Sequence, residues 1–296
     1  MNEIGTLELW FVITLLAAFK QNARSLLQRR LNDQLSVNGA SYVRFLYALP
    51  FAWIVALILW QGQPAGITPG FMTYVLMGAI AQIVATSALI ASFAGDHFAV
   101  GTALSKSEAA QAALFGLVFL GDAVSASLLA GIAVSLVGVI MLSGDISIRR
   151  LLRPHRTLWL GLLAGAGFAL SAVGFRGASL ALESGSYLQR AGLTVMVAVT
   201  IQTVSMGVYL WVREAGELQR VVRAWPIAIW VGLIGALASL GWFTAMTLKS
   251  AALVRAVGQI ELVFTVLSSM WLLGERITRR EVIGMALIVV GILLLI

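Results

Sequence analysis

Apolar stretches of about twenty residues alternate along the chain with short polar turns. A bilayer core of about 30 Å needs about 20 apolar residues per helix. The pattern therefore predicts helices at about 8–29, 40–60, 70–93, 97–120, 125–143, 158–181, 186–212, 226–247, 251–273 and 281–296. The turns carry the expected breakers: Gly62-Gln63-Pro64, Thr68-Pro69-Gly70, Gly121-Asp122, Arg153-Pro154-His155 and Trp225-Pro226. Pro69 and Pro226 open helices, where the fixed φ of proline is tolerated. Pro50 falls inside the second stretch, and the missing N–H predicts a kink there.

The pattern repeats. With a shift of 153 residues Glu108 falls on Glu261, Gly121 on Gly274, Asp122 on Glu275, Gly131 on Gly284 and Gly138 on Gly291. Leu9-Trp10 resembles Leu158-Trp159 at a shift of 149. The chain thus reads as a first five-helix repeat at 1–145, a cytoplasmic linker at 146–157 and a second repeat at 158–296. Five is odd, so the second repeat should cross the membrane upside down relative to the first. The expected fold class is all-α: a polytopic membrane protein with ten transmembrane helices in two inverted five-helix repeats. Such repeats place a substrate site near mid-membrane, where they meet.

Composition removes other classes. The 296 residues are 60% apolar and 11% charged, against about 25% charged in soluble domains. The net charge of +7 reads as orientation rather than nucleic-acid binding. Twelve arginines (29, 30, 149, 150, 153, 156, 213, 220, 223, 276, 279 and 280) fall in the odd-numbered loops, against Lys249 on the other side. The arginine-rich side should be cytoplasmic and both termini outside. The start, Met1-Asn2-Glu3-Ile4, lacks the basic region of a signal peptide, so the first stretch is expected to be retained. With no cysteine and only His97 and His155, neither a metal site nor a cofactor is expected.

Charges within spans demand a reason. Arg24, Arg44, Arg176 and Arg190 lie near predicted helix ends and can snorkel. Lys20, Lys106, Glu108 and Glu261 sit close to mid-helix, and Arg255 is intermediate. Lys106 and Glu108 are about 200° apart around a helix, so each should meet a partner on another helix or a polar solute. Either these groups form ion pairs that fix packing, or some line a water-filled cavity. There a cation would hold a substrate carboxylate and a glutamate an ammonium group or a proton. Gln82, Gln111, Gln202 and Gln259 could add hydrogen bonds. His97, after Asp96 at a helix start, fits an Asx-type cap. The candidate translocation-path residues are Lys20, Gln82, Lys106, Glu108, Gln111, Trp242, Arg255, Gln259 and Glu261.

Gly131 and Gly138, like Gly284 and Gly291, are seven apart and share a helix face, which predicts close approach of the fifth and tenth helices. Gly161-x-x-x-Gly165 reads as packing. Trp10, Trp60, Trp159, Trp211 and Trp225 are expected at the membrane interfaces, with Trp53 and Trp242 deeper. Catalytic signatures such as His-Glu-x-x-His, Gly-x-Ser-x-Gly and the Walker A loop are missing, so no enzyme and no ATP-driven pump is expected.

Leu120-Gly121-Asp122 and Leu273-Gly274-Glu275, each followed by paired glycines, resemble the EamA-type exporters of the drug/metabolite transporter superfamily. Leu104-Ser105-Lys106-Ser107-Glu108 leading to Phe119-Leu120-Gly121-Asp122 is similar to YddG-type amino-acid exporters. Ala109 and Leu262 stand where many EamA members carry proline. The resemblance implies a secondary exporter of small metabolites, amino acids above all and often aromatic ones, in a bacterial inner membrane. It further implies alternating access, a small-molecule substrate and the lipid bilayer as partners, no nucleic acid, and function as a monomer. Other solutes (sugar phosphates, nucleobases, drug-like compounds), an intramembrane enzyme and a passive channel stay open as alternatives, as does proton coupling.

Overall fold

The computed structural model describes residues 3–29, 31, 34–60, 66–92, 98–143, 156–273 and 276–296, which form helices and no strand. The helices are α1 (Glu3–Arg29), α2 (Val37–Leu46), α3 (Leu49–Trp60), α4 (Pro69–Ser92), α5 (Phe98–Ser105), α6 (Glu108–Leu120) and α7 (Ala126–Leu142). After them come α8 (Arg156–Leu180), α9 (Tyr187–Arg213), α10 (Glu217–Arg223), α11 (Trp225–Leu248), α12 (Ala251–Gly258), α13 (Ile260–Leu273) and α14 (Arg279–Leu293). Six helical stretches among the described residues are long and apolar enough to cross a membrane: Val37–Trp60, Pro69–Ser92, Arg156–Leu180, Tyr187–Arg213, Trp225–Leu248 and Ala251–Trp271. The expected turns at Gly62-Gln63-Pro64 and Arg153-Pro154-His155, the cap at Asp96-His97, and Gly274-Glu275 lie outside the described residues.

Three stretches that hydropathy reads as single helices are each broken in two. The second ends at Leu46 and resumes at Leu49, so the kink expected at Pro50 is a full break a few residues earlier. Pro50 has no N–H to give the Leu46 carbonyl, and its ring would clash with that carbonyl in a continuous helix. The helix therefore stops at Leu46 and restarts with proline in its first turn. The fourth stretch breaks at Lys106-Ser107 and the ninth at Gln259. At the former, Ser105 Oγ donates to the Thr102 carbonyl (2.8 Å) and Ser107 Oγ to the Leu104 carbonyl (2.6 Å). These hydroxyls compete with the helical N–H groups for acceptors, and the local backbone tightens into i→i−3 bonds from Lys106 and Ser107.

The chain divides into two compact units, Met1–Ile80 with Gly174–Lys249, and Ala81–Val173 with Ser250–Ile296. In the first, α1 packs along α11, and α9 packs against α2, α3 and α11. Gly232 on α11 lies against the Tyr47 carbonyl, leaving no room for a Cβ where the second stretch breaks. Gly174 meets Gly78, and Phe175 stacks on Phe243 with centroids 4.3 Å apart. Arg176 was expected to snorkel. Instead its Nη1 donates to the carbonyls of Met246 and Lys249, both at 2.6 Å, satisfying the C-terminal end of α11. Arg190 donates through Nε to the Gly185 carbonyl (2.9 Å), and Arg24 is buried. Glu217, fully buried, accepts from the Ser36 N–H (2.6 Å), while Glu214 accepts from Ser36 Oγ (2.5 Å) and Asn38 Nδ2 (2.6 Å). These two carboxylates sit at the positive end of α2.

In the second unit α7 packs on α14 and α6 on α12. Gly131 faces Gly291 and Gly138 faces Gly284, so α7 and α14 run antiparallel. A Cβ on Gly138 would lie 2.6 Å from the Gly284 carbonyl oxygen. The contact of α6 with α12 is built on Ala109, Ala112, Ala113, Ala252 and Ala256. Small residues of this kind let helices approach where lipid provides no hydrophobic drive for association. Gly121 closes α6 at φ +67°, and the Asp122 N–H bonds back to the Gly116 carbonyl (3.1 Å). This is a Schellman-type stop, which explains Leu120-Gly121-Asp122 in terms of helix capping.

The tryptophans divide between the protein surface and its interior. Trp159, Trp211 and Trp225 are exposed, as anchors should be. Trp10 and Trp60 are instead buried within the protein, the latter donating to the Gln189 carbonyl (3.0 Å). Trp53 is exposed at the protein surface and donates to Thr200 Oγ1 (3.1 Å).

Candidate functional site

The densest polar cluster among the candidates lies in the second unit, where two broken helices meet. The break between α5 and α6 puts Lys106 outside regular helix, and the break between α12 and α13 does the same for Gln259. Lys106 Nζ lies 3.8 Å from Glu261 Oε2, with side chains 19% and 17% exposed. Lys106 thus finds its partner on another helix. At 3.8 Å the pair is an ion pair without the close contact of a strong charge-assisted hydrogen bond.

Around the pair the structure places four more of the candidates. Gln111 donates through Nε2 to Ser107 Oγ (2.8 Å) and more weakly to the Leu162 carbonyl (3.4 Å). Ser107 in turn donates to Leu104, so amide and hydroxyl form one chain across the break. Gly161 and Gly165 make room for it, lying against Leu104 and against Ser107 and Gln111 respectively. Glu108 is buried in the first turn of α6, where the helix dipole favours a carboxylate. Arg255 is half-buried in the last turn of α12.

Gln259 is 2% exposed, and among the described residues neither its Nε2 nor its Oε1 has a hydrogen-bond partner. A buried amide left so costs about 1–3 kcal/mol per unsatisfied group. Native proteins rarely carry such a group without a reason.

Gln82 is half-buried on α4 in the same unit. Lys20 and Trp242 belong to the first unit, on the neighbouring helices α1 and α11. Lys20 is half-buried; Trp242 is buried and donates through Nε1 to Gln21 Oε1 (3.0 Å).

Sequence reasoning missed Ser105 and Ser107, whose hydroxyls make the break that frees Lys106. The signal was present as a Ser-Lys-Ser triplet inside an apolar run. It also missed Arg176 as a helix-end clamp, for which a single arginine within an apolar run gives no cue. Among the described residues no group of three or more histidine and acidic residues could hold a metal.

Comparison with known proteins gives three results. No curated protein matches the chain. A solved structure titled "Crystal structure of protein" has the same fold, with a TM-score of 0.67 and 13% identity over 97% of this chain and 96% of that one. Residues 155–296 match the EamA-like transporter family.

Proposed function

We propose that this protein is a secondary transporter that exports small zwitterionic solutes, neutral and aromatic amino acids foremost, by alternating access across a bacterial inner membrane. The observation that carries the proposal is the Lys106–Glu261 pair at the junction of two interrupted helices. Interrupted helices at membrane depth free backbone and side-chain polar groups for a solute. Lys106 supplies a cation for a carboxylate and Glu261 an anion for an ammonium group. The 3.8 Å separation and partial exposure leave the pair open to exchange for such a solute. Gln259, with both amide ends unpartnered among the described residues, offers a donor and an acceptor beside it. Gln111, Glu108, Arg255 and Gln82 complete the polar lining within the second unit, and Lys20 and Trp242 are further candidates within the first. The family match of residues 155–296 supports transport of a small solute; the amino-acid choice, and with it the YddG-type subgroup, rests on the charge balance and the Ser-Lys-Ser-Glu run.

The same reading takes residues 1–145 and 158–296 as two inverted five-helix repeats, ten crossings in all, joined by a linker at 146–157. Several observations support it. α5 ends at Ser105 and α12 at Gly258, and α7 begins at Ala126 and α14 at Arg279, each pair offset by the shift read from sequence. Exchanging the two repeats maps the contact of Gly131 with Gly291 onto that of Gly138 with Gly284. It likewise maps the packing of α1 on α11 onto the approach of α8 to α4, where Gly174 meets Gly78 and Gly167 meets Ala85. The arginine-rich loops are assigned to the cytoplasm and both termini to the periplasm, with a monomer as the working unit.

A transport panel in proteoliposomes tests the function. Neutral and aromatic amino acids should be taken up, and sugar phosphates and purines should not. Glu261→Gln and Lys106→Met should each reduce uptake at least tenfold. Uptake of sugar phosphates alone, or full activity in both variants, would overturn the assignment.

A further inference from the structure

A second polar surface lies in the first unit, at the turn joining α9 to α10 and the start of α11. Its composition follows from how the local carboxylates are used. Glu214 and Glu217 face inward, accepting from Ser36 and Asn38 at the start of α2. Glu217 also pairs with Arg220 at 2.6 Å. The acids of this segment are thereby spent within the protein. Arg213 and Arg223 are exposed, and among the described residues neither has a hydrogen bond or ion pair. Between them runs the outer face of α10, an open groove of about 360 Å³ lined by Leu218, Gln219, Val222 and Arg223. Exposed Trp211 and Trp225 flank the segment, and such indoles mark the headgroup level of a bilayer.

We infer that this surface binds the headgroup of an anionic phospholipid, the phosphate held by Arg213 and Arg223 and the adjoining apolar chain lying along Leu218 and Val222. The charge complementarity is direct: two unpaired guanidinium groups, each able to grip a phosphate with two parallel bonds, with both nearby carboxylates turned away. The apolar half of the groove and the flanking tryptophans favour a ligand with a hydrocarbon part over a soluble anion. Each basic group near an anionic membrane surface contributes about 1 kcal/mol, so removing two should weaken binding about 25-fold.

Native mass spectrometry of the purified full chain in detergent tests this, with phosphatidylglycerol and phosphatidylcholine of identical acyl chains as probes. The wild type should retain phosphatidylglycerol in preference. The double variant Arg213→Gln/Arg223→Gln should lose about 25-fold in phosphatidylglycerol affinity with phosphatidylcholine binding unchanged. The Arg213→Lys/Arg223→Lys variant, which keeps the charge, should lose less than about fivefold. Equal retention of the two lipids by the wild type would overturn the inference, as would a glutamine variant that keeps the preference. So would binding of glycerol phosphate or of a glutamate-rich peptide at these arginines as tight as that of the lipid.

Discussion

Neutralising the Lys106–Glu261 pair separates a solute site from a packing contact. In Lys106→Met the Glu261 carboxylate loses its counter-ion, and in Glu261→Gln the Lys106 ammonium loses its own. An isolated charge at mid-span costs about 2.5–3.5 kcal/mol on insertion scales. With side chains nearly a fifth exposed, the cost is reduced, and each single variant should lose about 2 kcal/mol of stability, a little below that range. The double variant removes both charges and leaves two groups of similar volume. Exchange of a buried pair for uncharged residues is often neutral, so the double variant should lie within about 1 kcal/mol of the wild type. The coupling energy is then about 3 kcal/mol, at the upper end of what contacting residues show. Reversible unfolding in mixed micelles gives the stabilities, and uptake into proteoliposomes gives the function. Restored stability with uptake still depressed at least tenfold is the expected result. A double variant that regains both stability and wild-type uptake would refute the reasoning, because the pair would then serve packing alone.

Three further outcomes follow from the geometry. Gly138→Ala should destabilise the protein by about 1–3 kcal/mol through overpacking, since its Cβ would meet the Gly284 carbonyl at 2.6 Å; a lowered unfolding midpoint in detergent checks it. Gly121→Ala should cost about 1–2 kcal/mol for a left-handed residue. A Cβ there meets nothing within 4 Å, so the penalty is conformational and a Gly121→Asn variant should recover part of it. Arg176→Met removes two bonds from a charged donor to the end of α11 and should lose about 1.5–3 kcal/mol, with faster amide exchange at Met246–Lys249 as its local signature.

The helix boundaries were largely legible because a span must be apolar for about 20 residues and its ends must be punctuated. α4, α7, α8, α9 and α11 begin and end within a few residues of the apolar stretches. The interruptions were not legible from hydropathy, which registers neither a serine hydroxyl taking a carbonyl at Ser105 and Ser107 nor the reach of Pro50 back to Leu46. The approach of α7 to α14 was readable from two glycine pairs spaced by seven, since close packing imposes composition directly. The burial of Trp10 and Trp60 within the protein was not legible, because an indole near a helix end looks alike whether it faces lipid or protein. Of the candidate site, the residues were identifiable by the cost of burying charge, but the pairing of Lys106 with Glu261 depends on how α6 meets α12. That contact is made by alanines, whose pattern names no partner.

The central claim is that the chain carries a small zwitterion by alternating access, and counterflow tests it most directly. Proteoliposomes loaded with an unlabelled neutral aromatic amino acid should accumulate labelled external solute transiently above equilibrium. The effect should saturate with concentration and be lost in Glu261→Gln. Entry of label that neither overshoots nor saturates would contradict the account.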